Sequence, residues 1–208
     1  MKKIILASKS IDRSGILKQA GIPFEILVAN IDEEKYKAEI SDANNLVKEL
    51  AKAKVLFVRN ELLKTGLDAI IIAADTVVVL DGEIIGKAQN EEEAFKILKK
   101  LIGRTHELVT GIAIAEVNNP KIITDSDTTI VHFLKLSDKE IINYIKSNEW
   151  KGRAGAYSIK DKASLFIKKI NGSSSNVIGL PMHKLFEILR REFRLNLFYS
   201  KNLKINHG

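Results

Sequence analysis

The chain has 208 residues, of which 45% are hydrophobic and 28% charged, a composition typical of a globular protein rather than a disordered one. It contains no cysteine, which excludes a disulfide scaffold, a thiolate metal site and a cysteine nucleophile. A formal net charge of +7 predicts attraction to anions such as nucleotides, nucleic acids or acidic membranes, without choosing among them. No apolar run approaches the roughly 18 residues of a membrane span, and we see no signal peptide, so we expect a soluble protein.

The first half of the chain predicts alternating strands and helices. The most regular helix covers residues 41–64, where apolar side chains recur at the spacing of a buried helical face. Residues 69–74 form a continuous apolar run typical of a central, buried strand. Before these two elements, the sequence predicts a strand at 4–7, a short helix ending near residue 20 and a strand at 24–29.

The second half continues this alternation. Asp81-Gly82 lies between two apolar runs and predicts a tight hairpin of residues 77–80 and 83–85, because both turn residues tolerate positive φ. Asn90 and Ser137 begin two helices, each with a glutamate three residues later as in a capping box. The remaining predictions are strands at 108–117, 122–134 and 164–170 and a helix from Pro181 to about residue 191. The fold class is therefore α/β or mixed α+β.

The turn after the first strand contains Ser8, Ser10 and Arg13. A strand-to-helix junction presents free backbone N–H groups and the positive end of a helix dipole, which suit a phosphate. The hydroxyls and the guanidinium would add further donors. Taken alone, the segment fits a capped helix with a surface arginine better.

Acidic residues follow two of the predicted strands. Asp75 ends the most apolar strand, where a carboxylate is costly unless it is paired, metal-bound or functional. Ligands of open α/β sheets also gather outside such strand ends. Asp32, Glu33 and Glu34 could bind a divalent cation, although an acidic loop is the commoner meaning of such a run. Asp75 is therefore the strongest single candidate.

Two lysines could offset the charge of a polyphosphate. Lys87 follows the hairpin, and Lys54 lies on the long helix. A lysine on an amphipathic helix usually belongs to the solvated face, so Lys54 by itself indicates no site. Together with Glu33, Asp75 and Arg13, however, these lysines suit a metal–nucleotide complex. The residues alone leave the reaction open.

Eight segments, in the same order along the chain, resemble the motifs of the Maf family of nucleoside triphosphate pyrophosphatases. The resemblance covers residues 4–189. The segments are Leu6-Ala7-Ser8-Lys9-Ser10 with Arg13, Ile31-Asp32-Glu33, Leu50-Ala51-Lys52-Ala53-Lys54, Ala74-Asp75-Thr76-Val77-Val78, Gly82-Glu83 to Gly86-Lys87, Leu101-Ile102-Gly103-Arg104-Thr105-His106 with Thr110-Gly111, Ala154-Gly155-Ala156-Tyr157, and Lys169-Ile170-Asn171-Gly172 with Val177-Ile178-Gly179-Leu180-Pro181. One such motif would be weak evidence, whereas eight in order are specific.

The resemblance implies hydrolysis of a nucleoside triphosphate to the monophosphate and pyrophosphate with a divalent metal, Mg²⁺ or Mn²⁺. It implies an elongated, mixed sheet flanked by helices, in one domain over residues 1–191 with two lobes around a cleft. Residues 192–208 would form a basic C-terminal extension beyond this domain. Family members are cytoplasmic, often homodimeric, linked to septum formation and regarded as removing non-canonical nucleotides. We therefore expect a nucleotide substrate and a second copy of the chain as partners, and neither a membrane nor a nucleic acid.

By motif position, the resemblance also implies a role for each candidate residue. Asp75 matches the catalytic acidic residue, which would orient or deprotonate the attacking water. The other active-site positions are matched by Glu33, Lys54 and Lys87. Substrate-binding positions are matched by Ser8, Ser10, Arg13 and Thr76. The metal would be held by Glu33 and Asp75.

Departures from the family pattern concern substrate choice. Asp12 stands where the family usually has an arginine tied to that choice, and Lys160 stands at another such position, usually a glutamine. We hypothesise that the two have exchanged charge roles and pair directly. Thr76 keeps the Asp-Thr form of the branch that acts on dTTP, UTP and modified pyrimidine nucleotides, and the sequence is assigned to that branch.

Other functions remain open. One is a catalytically weak, nucleotide-binding regulator of septum formation, and another is a purine-selective pyrophosphatase for inosine or xanthosine triphosphate. A basic nucleic-acid-binding module is the third, and it predicts salt-steep binding without hydrolysis. Metal-dependent pyrophosphate release would distinguish the assigned function from the regulator. The preferred base would distinguish it from the purine-selective pyrophosphatase.

The C-terminal segment exceeds the resemblance. Phe193, Leu195, Leu197 and Tyr199 occupy alternate positions, which fits an edge strand. A basic, disordered tail fits the same segment equally well.

Overall fold

A computed structural model describes residues 2–199, and these residues form two units. The first unit comprises residues 2–75, 110–127 and 179–199, and the second comprises 76–109 and 128–178. Among these residues, no helix combines the length and the apolar character that crossing a bilayer requires.

The described strands form a seven-stranded mixed sheet. They are β1 (Lys3–Leu6), β2 (Glu25–Ile26), β3 (Ala69–Leu80), β4 (Glu83–Ile85), β5 (Thr105–Glu116), β6 (Ile122–Phe133) and β7 (Ile167–Asn171). Their order is β2-β1-β3-β5-β6-β7, and β4 pairs with β3. β1 is parallel to β2 and β3, whereas the β3–β4 and β6–β7 pairs are antiparallel. The predicted mixed α/β class is confirmed.

Seven α-helices accompany these strands within the described part of the chain. They are α1 (Ile11–Gln19), α2 (Glu33–Glu39), α3 (Ala43–Leu63), α4 (Glu91–Leu101), α5 (Asp138–Ile145), α6 (Ser174–Ile178) and α7 (Met182–Glu192). Two short 3₁₀ turns cover Lys162–Leu165 and Leu197–Tyr199. Local sequence patterns predicted several of these helices correctly. Asn90 caps α4, and Ser137 and Glu140 form a complete capping box at α5.

Alternation along β3 divides the core of the first unit between the two faces of the sheet. Ile70 and Ile72 pack with apolar residues of α1 and α7, whereas Ile71 and Ala73 pack with apolar residues of α3. Successive side chains of a strand point to opposite faces, so a residue's position along β3 decides which helix covers it.

The second unit is built around aromatic rings. Phe133 contacts Tyr157 and Phe166 edge to face, with ring centroids 4.8 and 5.0 Å apart.

The predicted hairpin of β3 and β4 is confirmed, and its turn residues Asp81 and Gly82 both have positive φ, 51° and 81°.

The sequence predicted that the central strand ends before Asp75, and this prediction was wrong. β3 continues to Leu80, so Asp75 and Thr76 lie within it. The strand can continue through this position because Lys54 pairs with the buried carboxylate and so offsets the cost of its burial.

The acidic run after the second strand is a helix rather than a loop. Asp32 caps α2 by accepting a hydrogen bond from the Lys35 backbone nitrogen at 3.4 Å. Glu33 and Glu34 lie in its first turn, where negative charge favours a helix N-terminus. The strand predicted at 24–29 is shorter than expected, since β2 covers only Glu25–Ile26, and the short helix α6 was not predicted.

Two predictions near the C-terminus also differ from the structure. The strand predicted at 164–170 begins only at Ile167, because a 3₁₀ turn precedes it. An edge strand over 193–199 is wrong, because Leu195 and Leu197 pack against the core of the first unit and do not pair with the sheet. The part of the predicted extension beyond residue 199 lies outside the described residues.

Candidate functional site

The site begins with a carboxylate buried inside the first unit. Asp75 is an odd-numbered residue of β3, so it lies on the same face as Ile71 and Ala73, which α3 covers. Only 5% of Asp75 is exposed. An ionised carboxylate at such a depth requires a charged partner or several hydrogen bonds.

Lys54 of α3 is that partner. Its Nζ donates to Asp75 Oδ1 at 2.6 Å, and 8% of the residue is exposed. Lys54 follows Ala51 by three residues and precedes Val58 by four, so helical geometry places it in the stripe that packs on the sheet. The expectation that it lies on the solvated face is wrong, and this spacing is the signal that could have shown it.

A glycine of β5 lets α3 approach the sheet closely. A Cβ added at Gly111 would lie 2.3 Å from the Val47 carbonyl oxygen, a distance that real side chains do not adopt. The helix backbone therefore rests directly on the strand, two turns before Lys54. This contact explains why the sequence has glycine at this position.

Glu33 brings a second carboxylate to the same ammonium. Lys54 Nζ lies 2.8 Å from Glu33 Oε1, and 33% of the Glu33 side chain is exposed. Glu33 is the first residue of α2, where the Asp32 cap fixes its position. One lysine thus joins two carboxylates that are 42 positions apart in the sequence.

The turn between β1 and α1 contributes the hydroxyls and the guanidinium predicted for it. Ser10 caps α1 by accepting a hydrogen bond from the Arg13 backbone nitrogen at 3.3 Å. Ser8 Oγ accepts hydrogen bonds from the Ser10 nitrogen at 3.2 Å and from Arg13 Nη1 at 3.3 Å. Arg13 Nε donates to the carbonyl oxygen of Gly179 at 2.7 Å. The guanidinium is therefore held from two sides, and the Gly179 contact was not predicted.

The electrostatics connect this turn to the carboxylates. Burial lowers the pKa of Arg13, and the negative charges of Asp75, Glu33 and Asp12 oppose that shift. These three carboxylates therefore lie near enough to Arg13 to favour its charged form. Two cations and three carboxylates share this region of the first unit.

The pair of carboxylates fits a divalent metal. Glu33 and Asp75 offer only oxygen ligands, and both contact one cation, the Lys54 ammonium. Among the described residues, no group of three or more acidic or histidine side chains could hold a metal. A metal here would complete its shell with water or substrate oxygens, as Mg²⁺ commonly does in phosphate-binding sites.

Three predicted site residues belong to the second unit. Thr76 follows Asp75 in β3 and is half-buried. Lys87 is exposed and forms an isolated antiparallel bridge with Ala154. Lys160 is exposed, and its backbone nitrogen donates to Ser158 Oγ at 3.4 Å. Their roles in substrate binding, catalysis and specificity, and the direct pairing of Lys160 with Asp12, stay predictions.

Comparisons with known proteins agree on one family. Residues 3–192 match the family of Maf-like proteins. The dTTP/UTP pyrophosphatase of Alkaliphilus oremlandii (strain OhILAs) is 44% identical over 197 residues, which span 95% of this chain and all of that protein. The dTTP/UTP pyrophosphatase of Thermoanaerobacter sp. (strain X514) is 40% identical over 195 residues, or 94% of this chain and 99% of that protein. That of Caldanaerobacter subterraneus subsp. tengcongensis is 44% identical over 92% of this chain and 89% of its own length.

Among solved structures, a nucleoside-triphosphatase, or dITP/XTP pyrophosphatase, from Mycobacterium abscessus aligns with a TM-score of 0.34 and 13% identity. The alignment covers 63% of this chain and 72% of that one.

Proposed function

The chain belongs to the family of Maf-like proteins, and we propose that it hydrolyses nucleoside triphosphates to the monophosphate and pyrophosphate. The substrates we propose are dTTP, UTP or modified pyrimidine nucleotides, because relatives at 40–44% identity over nearly the whole chain are named dTTP/UTP pyrophosphatases. The observation that carries the proposal is the buried contact of Lys54 with Asp75 and Glu33, next to the Arg13 guanidinium. A buried carboxylate with a specific charged partner is a candidate for a functional site.

In the proposed reaction, the oxygen of a water molecule bonds to the α-phosphorus as the bond to the bridging oxygen of the β-phosphate breaks. The water proton passes to a base, and pyrophosphate leaves. Asp75 is the proposed base or orienting group, because its carboxylate is buried and lies within the central strand β3, which fixes its position. A fixed carboxylate holds the attacking water without first having to reorganise.

Cationic and hydroxyl groups would bind the phosphates. Arg13 is held by Ser8 and by the Gly179 carbonyl, so its planar fork is already oriented. Lys54 would offset the charge that develops on the leaving pyrophosphate. We propose the same role for Lys87 and substrate binding for Ser10 and Thr76, on their positions in the family motifs.

A divalent metal, Mg²⁺ or Mn²⁺, is part of the proposal. Glu33 and Asp75 would hold it, since both are oxygen ligands that converge on one cationic position. When bound, such an ion neutralises phosphate charge and activates water.

The test is pyrophosphate release from the purified full chain. Each common and modified nucleoside triphosphate is supplied with Mg²⁺, with Mn²⁺ or with a chelator. We expect metal-dependent release, fastest with dTTP, UTP or a modified pyrimidine nucleotide. Release that is fastest with inosine or xanthosine triphosphate would replace the pyrimidine assignment, and nucleotide binding without release would favour the regulator.

The base preference also tests the departures from the family pattern. Asp12 contributes negative charge next to Arg13, where the family usually has a second arginine. We propose that Asp12, Thr76 and Lys160 set the preferred base. The cytoplasmic location and the homodimer that the resemblance implies stay predictions.

A further inference from the structure

The Lys54 ammonium stands between the two carboxylates that would hold a metal. Its Nζ lies 2.6 Å from Asp75 Oδ1 and 2.8 Å from Glu33 Oε1. One monovalent cation therefore already bridges both proposed ligands. The contact is well shielded, since 10% of the Lys54 side chain and 8% of the Asp75 side chain are exposed.

From this arrangement we propose that Lys54 keeps a free divalent cation out of the site, so that the metal enters only together with the nucleotide. The identity of the nucleotide rests on the proposed function. The inference itself concerns the binding of metal and not turnover.

The two cations of this cluster leave little net negative charge to attract a free metal. The cations Lys54 and Arg13 offset Glu33 and Asp75, and Asp12 adds one further negative charge near Arg13. A divalent ion would place two more positive charges next to a nearly buried ammonium, where repulsion is only weakly screened. To enter alone, it would have to break both contacts of Lys54 and leave that ammonium without an anionic partner.

A nucleoside triphosphate removes both obstacles. Its phosphate oxygens give the displaced ammonium a new anionic partner, and they complete the coordination shell of a metal that has only two protein carboxylates. The metal and the nucleotide therefore each favour the binding of the other. By linkage, the factor by which the nucleotide tightens metal binding equals the factor by which the metal tightens nucleotide binding.

Mn²⁺ binding, followed by the paramagnetic signal of the free ion, tests the inference without turnover. The full chain is titrated with Mn²⁺ alone and with Mn²⁺ plus a UTP analogue that has a methylene group between the α- and β-phosphorus atoms. Binding of Mn²⁺ to the analogue alone is measured separately and subtracted. We expect Mn²⁺ to bind at least about tenfold more tightly when the analogue is present.

A matched pair of lysine variants isolates the role of Lys54. Lys54→Met removes the ammonium and leaves two carboxylates close together, so Mn²⁺ alone should bind about tenfold more tightly or better than to the wild type. Mn²⁺ should also raise the unfolding temperature of this variant more than that of the wild type. Lys52→Met removes the same charge from the same helix. Lys52 is half-exposed and contacts Glu49, so the Mn²⁺ affinity should not change.

Two results would overturn the inference. One is that the wild type binds Mn²⁺ equally tightly with and without the analogue. This test does not depend on whether a variant folds. The other is a folded Lys54→Met variant with the wild-type affinity for free Mn²⁺. If no nucleotide yields pyrophosphate while Lys54→Met still gains Mn²⁺ affinity, the proposed function fails and the inference stands. If turnover is normal but the affinities do not differ, only the inference fails.

Discussion

The two units of the molecule bury different kinds of polar side chain. In the first unit, the buried polar residues among those described include the charged pair Lys54 and Asp75. In the second unit, the buried polar residues are His106, Thr129, Ser158 and Asn176. None of these is charged at neutral pH, because burial lowers the pKa of His106 to about 4, with a smaller contribution from His132.

Neutral polar side chains of the second unit form hydrogen bonds with neighbouring residues. His106 Nε2 and the Tyr157 hydroxyl lie 2.9 Å apart, and Asn176 Nδ2 donates to the Leu108 carbonyl oxygen at 3.1 Å. Such bonds contribute modestly to stability and fix the geometry of a core. The charged pair of the first unit is different, because its desolvation costs several kcal/mol that an apolar pair would avoid. This contrast is one reason for proposing that the reaction is centred on Asp75 and Lys54.

The largest expected effect comes from neutralising the buried carboxylate. Asp75→Asn keeps an oxygen that accepts from Lys54 but cannot act as a base, so kcat should fall by roughly 10²–10⁴. The unfolding temperature should change little, because Glu33 still pairs with the Lys54 ammonium and the shape of the side chain at position 75 is preserved. Pyrophosphate release and thermal unfolding measure the two effects.

Asp125→Asn is the matched control for this substitution. Asp125 forms a partly exposed ion pair with Lys184 at 2.7 Å in the same unit, so its loss should leave turnover unchanged. A folded Asp75→Asn variant with normal turnover would return Asp75 to a structural role.

A second, smaller effect tests how α3 is placed. In Gly111→Ala, the new Cβ would meet the Val47 carbonyl at 2.3 Å, so the helix has to move. We expect a loss of roughly 1–3 kcal/mol in the free energy of unfolding, measured with urea. Turnover per folded molecule should also fall, because α3 carries Lys54.

Gly86→Ala makes the same chemical change in the second unit. An added Cβ there meets no atom within 4 Å, so stability should be unaffected. Equal stability losses in the two variants would show that the contact between α3 and β5 is not as tight as described.

The third prediction concerns the pH dependence of the second unit. His106 has a pKa of about 4 when folded, against about 6.5 in the unfolded chain, so the unfolded state binds more protons between these values. Stability should therefore fall as the pH is lowered through this range, by about 2 kcal/mol between about pH 7 and pH 5. This loss of stability is absent above the unfolded-state pKa of His106, about 6.5, and complete below its folded-state pKa of about 4.

Urea unfolding of the wild type and of His106→Gln at several pH values isolates this contribution. The glutamine does not titrate, so the difference in stability between the two proteins should change with pH over that window. A constant difference would contradict a buried, neutral His106.

The smallest effect should come from the charge at Asp12. Asp12→Asn removes a negative charge near Arg13, so the triphosphate should bind more readily, with KM about two- to fivefold lower at low salt. Added salt should reduce the difference. Glu39→Gln, an exposed position at the end of α2, provides the matched change of charge, and its KM should equal that of the wild type.

Much of the fold and of the candidate site follows from the sequence. The capping box at Ser137, the Asp81-Gly82 turn and the periodicity of α3 are local patterns, and each predicted its element correctly. The order of the motifs likewise predicted the family. Asp75, Glu33, Lys54 and Arg13 were named as candidates, and the structure brings all four together in the first unit.

The sequence by itself determined those elements because their signals act over three or four neighbouring residues. Only the tertiary structure decided that β3 continues through Asp75, that Lys54 pairs with Asp75 and that the Gly179 carbonyl holds Arg13. Lys54 and Asp75 are 21 residues apart, and each would be too costly to bury alone. An ionised side chain can lie inside the core only when the fold brings a charged partner to it. The residues next to Lys54 in the sequence do not indicate that Asp75 is its partner, nor do those next to Asp75 indicate Lys54.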